Sequence, residues 1–193
     1  MKTISAFFPS IAAIAVFTSV ASACGIYVED ESEIENPFID TRSYADTVNE
    51  SLQLRELRRL TENEFIEAIK SGEYILLDAR SKANYDLRHI FGAVNLPFTE
   101  FTADNLARIV PSKDTKILIY CNNNFFAGTE SLITKSIAAS LNLSTQAALN
   151  AYGYKQVYEL GPLLDMRTTK ISFAGTEVVQ ELVSQWDFFM LDR

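Results

Sequence analysis

Cys121 is the residue of this chain best placed to do chemistry. It ends the apolar run Lys116-Ile117-Leu118-Ile119-Tyr120, which follows the turn-formers Ser112, Lys113 and Asp114, and it precedes Asn122, Asn123, Asn124, Phe125, Phe126 and Ala127. A short apolar run bounded by turn-formers reads as a buried strand. Beyond the loop, the spacing of Leu132, Ile133, Ile137, Ala138 and Leu141 predicts a helix over 129–141. A thiol at a strand end, facing a helix N-terminus across a tight loop, would be a nucleophile: the free N–H groups and the positive end of the helix dipole favour the thiolate. The alternative is a buried structural cysteine, the commoner use of a lone one. Asp78, with Arg80 just beyond it, ends a second apolar run, Tyr74-Ile75-Leu76-Leu77, and His89 is the only histidine.

These side chains need a scaffold. Thr61 and Glu64 have the spacing of a capping box, opening a helix through Phe65, Ile66 and Ile69 that stops at Ser71-Gly72. Residues 81–88 and 103–110 read as helices, and 93–96 as a short strand stopped by Pro97. Ser144 or Thr145 can cap a further turn or two around Ala147, Ala148 and Leu149, and 156–160 alternates as a strand. Leu52, Leu54, Leu57 and Leu60 fall near one face of a stretch that would pack on the domain, and the tail from Val178 through Trp186, Phe188, Phe189 and Leu191 reads as an amphipathic helix packing back on the sheet. Strands alternating with helices across short connections give an α/β fold, with a central, mostly parallel sheet and helices on both faces. Ligands of such sheets sit outside the carboxyl ends of the strands, where Asp78 and Cys121 both fall.

Charge divides the chain. Residues 25–50 hold eight acidic side chains against one base, Arg42, while residues 51–193 hold 17 acids and 15 bases. An acidic segment without a regular apolar pattern reads as a flexible tether over 24–50, and it argues against nucleic acid as a partner. Residues 1–23 have the form of a secretory signal: Lys2, an apolar stretch from Ile11 to Val20, then Ala21-Ser22-Ala23. That stretch is too short to favour a permanent transmembrane helix. Val20-Ala21-Ser22-Ala23-Cys24 resembles a bacterial lipobox, in which Cys24 is lipidated and becomes the mature N-terminus, anchoring the protein in a membrane. Ala21 stands where Leu is usual, so ordinary cleavage is the alternative. With Cys24 acylated, Cys121 would be a single free thiol outside the cytoplasm; a disulfide-linked dimer through Cys24 is the competing arrangement. Neither a metal cluster nor a phosphate loop is legible, and no cofactor is expected.

Taken together, residues from about Leu60 to Asp165 resemble the rhodanese family. Leu76-Leu77-Asp78-Ala79-Arg80 resembles its D-x-R strand end. Tyr85 with Arg88-His89-Ile90-Phe91-Gly92-Ala93-Val94-Asn95-Leu96-Pro97 resembles its G-H-I-P-G-A-x-N-x-P segment. Residues 117–121 resemble its catalytic strand, and Gly153-Tyr154-Lys155-Gln156-Val157-Tyr158-Glu159-Leu160-Gly161 its late glycine-bounded strand. The resemblance implies a rhodanese-like domain over 51–193, with an extension from about 166. It also implies that Cys121 carries sulfane sulfur as a persulfide, taken from a small donor and passed to a thiol or cyanide, and the N–H groups of 122–127 would cradle the persulfide's charge. Asp78, Arg80 and His89 would be supporting residues, the first two as an ion pair and the third on a turn.

The loop departs from the C-x-x-G-x-R-S form common in the family. Asn124 stands at the Gly position, tolerable because Asn accepts a left-handed backbone, while Phe126 stands at the Arg position and Ala127 at the Ser position. No cation remains in the loop to make charge-assisted bonds to an anionic donor. Arginine-closed phosphatase and arsenate-reductase loops are disfavoured for the same reason. Phe125 and Phe126 suggest an apolar or larger acceptor, or anchors in the core, and Arg88 could bring charge to the cleft or lie in solvent. Two functions follow: a sulfurtransferase-like carrier exported to the cell envelope, or a non-catalytic module of the same fold that binds an envelope partner.

Overall fold

The structure is a computed structural model describing residues 36–128 and 130–191. The signal segment, Cys24 and the acidic residues up to 35 lie outside the described residues. From Asp40 onward the chain forms a compact unit. Its elements are α1 (Thr41–Glu56), β1 (Arg59–Leu60), α2 (Glu62–Ser71), β2 (Tyr74–Asp78), α3 (Lys82–Leu87), β3 (His89–Ile90), β4 (Val94–Asn95), α4 (Ala103–Ile109), β5 (Lys116–Tyr120), β6 (Phe125–Phe126), α5 (Leu141–Ala151), β7 (Val157–Leu160), β8 (Leu164–Asp165), β9 (Phe173–Ala174) and α6 (Thr176–Leu191).

The central sheet has the order β1-β7-β5-β2-β4, and every neighbouring pair is parallel. A parallel sheet is buried on both faces, so the apolar side chains of its strands alternate between two cores. Leu76, Leu118 and Tyr120 pack with Phe65 and Ala68 of α2, whereas Leu77, Ile117 and Ile119 pack with Leu106 of α4 and Leu149 of α5. The register sets Asp78 beside both Tyr120 and Asn95, so three strands end together. The capping box at α2 is formed: the Thr61 N–H donates to Glu64 Oε2 at 2.9 Å, and the Glu64 N–H donates to Thr61 Oγ1 at 3.4 Å. Among the described residues no helix is long and apolar enough to cross a membrane.

Four sequence expectations are corrected. Residues 41–50 are not tether but the first part of α1, capped by the Asp40 carboxylate on the Ser43 N–H at 2.9 Å. Polar contacts hold this helix: Asn150 Nδ2 donates to Glu50 and Ser51, and Lys155 pairs with Glu50 at 2.8 Å. The leucine-spaced stretch that follows divides, with the helix ending at Glu56 and Arg59–Leu60 joining the sheet beside β7. Among the described residues of 129–141 the expected helix is absent. Short 3-10 turns at Glu130–Leu132 and Ile137–Ala139 stand in an irregular strap, Ile137 is 87% exposed, and α5 begins only at Leu141. Side chains take the backbone groups that a helix would use: Asn122 Nδ2 donates to Ile133 O, and Asn123 bonds both the carbonyl and the N–H of Lys135.

The fourth lies at α6. Arg88, half expected in solvent, is buried and pairs with Glu177 and Glu181, so it fastens α6 beside α3 and β9. Val179, Leu182 and Val183 of this helix are exposed, and the side chains of Trp186, Phe188, Phe189 and Leu191 lie outside the described residues. The turn into α6 needs Gly175, whose φ is +123° and where a Cβ would lie 2.3 Å from Leu87 O.

Phe65 is fully buried against β2 and β5, and replacing it by alanine is expected to destabilise the chain by about 3–5 kcal/mol in urea unfolding. Tyr120 offers a pH test. Its hydroxyl donates to Asp78 Oδ2 at 2.5 Å and accepts the Ile90 N–H at 3.1 Å. Burial first, then the Asp78 charge, raises this phenol well above its ordinary value of 10.0, against the opposing charge of Arg80. The folded state keeps a proton that the unfolded phenol loses, so stability declines as pH rises above that value. Tyr120→Phe should cost about 1–3 kcal/mol near neutrality and flatten part of the alkaline decline, read from melts at several pH values.

Candidate active site

A cavity of about 430 Å³ opens at the carboxyl ends of β2 and β5. Cys121, Asn122 and Asn123 form one wall, Arg80 to Lys82 another, and the Pro97–Glu100 segment with Lys135 and Leu141 closes it. Cys121 is a free thiol, 2% exposed, with Sγ 3.4 Å from Ser140 Oγ.

The three asparagines act as clasps. Asn122 Oδ1 accepts from Arg80 Nη1 at 3.2 Å, while its Nδ2 holds the strap at Ile133 O, 2.9 Å away. Asn123 makes a two-point bond with the backbone of Lys135, at 2.9 and 3.0 Å. Asn124 is buried, its Oδ1 accepting the Cys121 N–H at 2.9 Å and its Nδ2 donating to Leu160 O at 2.6 Å. Asn124 therefore substitutes for glycine through its side chain. The left-handed residue is Ala127, with φ 55°.

In the expected cradle over 122–127, the Asn124 N–H bonds Cys121 O at 3.1 Å and also reaches the Cys121 side chain, whereas the Phe125 N–H is spent on Asn122 O in a 3-10 turn. Phe125 is a core anchor, wholly buried and edge-on to Tyr120 and Phe173. Phe126 is half-exposed and pairs with Asp165 through β6 and β8, so neither ring lines the cavity. Phe98 is the aromatic that does.

Asp78 and Arg80 form a buried ion pair at 2.6 Å. Burial opposes the arginine's charge, but Asp78 and Tyr120 together outweigh it and hold Arg80 above its ordinary value. Its other N–H groups reach Arg88 O at 2.7 Å and Ser131 O at 3.3 Å, so this cation is committed to structure. His89 stacks on Tyr85 with centroids 3.8 Å apart and places Nδ1 2.7 Å from Tyr85 O. It supports the turn and does not line the cavity.

The site contains residues that sequence reasoning passed over. Lys82 and Lys135 bring cations to a cavity whose loop has none, and Lys82 is paired with Asp86 at 2.5 Å. Among the described residues Lys135 is the lining cation without an ion-pair partner. Its approach depends on the Asn123 clasp within an aperiodic strap, which leaves no signal in the sequence. Ser140 arrives by the same strap.

Comparison with known proteins agrees with this architecture. The family described as Rhodanese-like domain matches residues 61–161. Thiosulfate sulfurtransferase PspE of Escherichia coli (strain K12) is 30% identical over 95 residues, covering 49% of this chain and 76% of that protein. Among solved structures, the BH2092 protein of Bacillus halodurans is 24% identical, covering 62% of this chain and 78% of that one with a TM-score of 0.45. A rhodanese with anions from E. coli is 24% identical, covering 53% and 99% respectively with a TM-score of 0.37. With its parallel sheet and the family match over residues 61–161, the chain belongs to the rhodanese-like domain family, whose relatives include sulfurtransferases.

Proposed function

We propose that this chain is a sulfur carrier of the cell envelope, with Cys121 as the nucleophile. The reading is supported by the position of Cys121, which ends β5 in a cavity that also holds an uncommitted lysine. The Cys121 thiolate attacks the outer sulfur of a donor such as thiosulfate. The donor's S–S bond breaks, its electron pair leaves with sulfite, and Cys121 becomes a persulfide. A thiolate or cyanide then attacks the terminal sulfur and regenerates the Cys121 thiolate, so no outside oxidant or reductant enters. Lys135 receives the anionic end of the donor, replacing the cation that the loop lacks. Phe98 and Leu141 give the cavity an apolar side, and its volume leaves room for an acceptor larger than cyanide.

Export and anchoring rest on residues 1–24: a signal segment, then Cys24 in a lipobox-like setting, carrying the domain on an acidic tether. Acylation there predicts a mature N-terminus at Cys24, checked by mass spectrometry of the membrane fraction. A second reading, a non-catalytic module that binds an envelope protein, is favoured by one observation: residues 122–127 carry no charged side chain.

Intact mass of the purified chain before and after thiosulfate, then after cyanide, separates the two. The carrier gains one sulfur atom that maps to Cys121, loses it to cyanide and gains none as Cys121→Ser. If no donor leaves an adduct although a small alkylating reagent reaches Cys121, the binding module stands. Lys135→Ala should raise KM for thiosulfate about tenfold with a smaller effect on kcat, measured by steady-state kinetics.

A further inference from the structure

Glu159 is a carboxylate in a dry place, 3% exposed on β7. Arg55 of α1 grips both of its oxygens, Nε to Oε2 at 2.5 Å and Nη2 to Oε1 at 2.9 Å. Oε1 also accepts from Asn142 Nδ2 at 3.2 Å, and the same amide nitrogen donates to Asn124 Oδ1 at 3.0 Å. Asn124 Oδ1 in turn holds the Cys121 N–H. Four side chains thus connect α1 to the backbone of Cys121, and none of them lines the cavity. Arg55 precedes the span that the family match covers, residues 61–161.

Glu159 is buried and Arg55 partly so, and a pair held this far out of water is a poor device for stability alone, because desolvating the charges consumes much of what their attraction returns. Here the pair ends on the cysteine. Arg55 is held above its ordinary value first by its hydrogen bond to Glu159, against burial, with the charges of Glu159, Glu56 and Cys121 adding to the effect.

We propose that Arg55 is a positioning residue for Cys121: through Glu159, Asn142 and Asn124 it fixes the cysteine's backbone, and its cation balances a carboxylate that would otherwise oppose a thiolate. The transfer step in this proposal rests on the sulfur-carrier reading; the electrostatic coupling does not. Arg80, Lys82, Glu100 and Lys135 face Cys121 across the cavity and are unchanged in every variant below.

The test uses the purified full chain as Arg55→Gln, Glu159→Gln and Asn142→Ala, with thermal melts to establish folding. The first readout is the pH profile of iodoacetamide alkylation at Cys121. It should move to higher pH in Arg55→Gln, where the carboxylate is left uncompensated, and to lower pH in Glu159→Gln, where the cation is. The second is sulfur uptake from thiosulfate: kcat should fall about tenfold in Arg55→Gln and Asn142→Ala with KM unchanged, because Lys135 is untouched. Should Arg55→Gln fail to fold, Asn142→Ala, which leaves the ion pair intact, and Glu159→Gln carry the test. Folded variants with the parental alkylation profile and uptake overturn the proposal. Opposed shifts in a parent that takes up no sulfur uphold the coupling and reject the sulfur-carrier reading.

Discussion

The carboxylate of Asp78 has no exposure to water, and a buried charge must be compensated where it stands. Much around the cavity follows from that compensation. Arg80 answers the charge, and its remaining N–H groups reach the Cys121 loop at Asn122, the strap at Ser131 and the backbone at Arg88. Tyr120 supplies the neutral donor, and its hydroxyl simultaneously takes the N–H of Ile90. One acid at a strand end therefore ties β5, the loop after it, the strap and the segment between α3 and β4 to a common point. The geometry is possible because β2 and β5 pair in parallel, with Asp78 and Tyr120 side by side.

A second layer of order comes from amides. Asn122 and Asn123 hold the strap, Asn124 holds Cys121 and the end of β7, Asn142 reaches Glu159, and Asn150 holds α1. An asparagine side chain offers two donors and an acceptor, so each can bridge two segments that have no backbone ladder between them. The cost is regular structure: once Asn122 and Asn123 take the strap's backbone groups, no helix can start after the loop. Such a helix would have brought its dipole to the sulfur. Instead the charged groups around Cys121 come from outside its loop: Arg80, Lys82, Glu100 and Lys135 line the cavity, and the Arg55–Glu159 pair is linked to its backbone from behind.

What could be read from the sequence was what repeats. The strands at 74–78 and 116–120, the capping box at Thr61 and the helix at 103–109 carry local signals, and from them came the parallel sheet and the strand ends where Asp78 and Cys121 meet. The features that escaped depend on pairs far apart in the chain. Nothing near Glu50 announces Asn150, and nothing near Arg88 announces Glu177 and Glu181, so an acidic helix looked like a tether and a buried arginine like a solvated one. At the loop, Leu132, Ile133 and Ile137 have helical spacing, but only Leu132 is buried while Ile133 and Ile137 point to water. Periodicity without a face to bury has no stabilising consequence.

The manner in which the strap is hung has an evolutionary side. Its grip on the cysteine loop consists of side-chain bonds from Asn122 and Asn123 and the approach of Ser140 Oγ to the Cys121 sulfur, and no strand of the central sheet passes through it. Insertions, deletions and substitutions between the clasp points can accumulate there without moving the strand end that presents the thiol. The charge that the strap brings to the cavity can therefore change one residue at a time while the strand end stays in place.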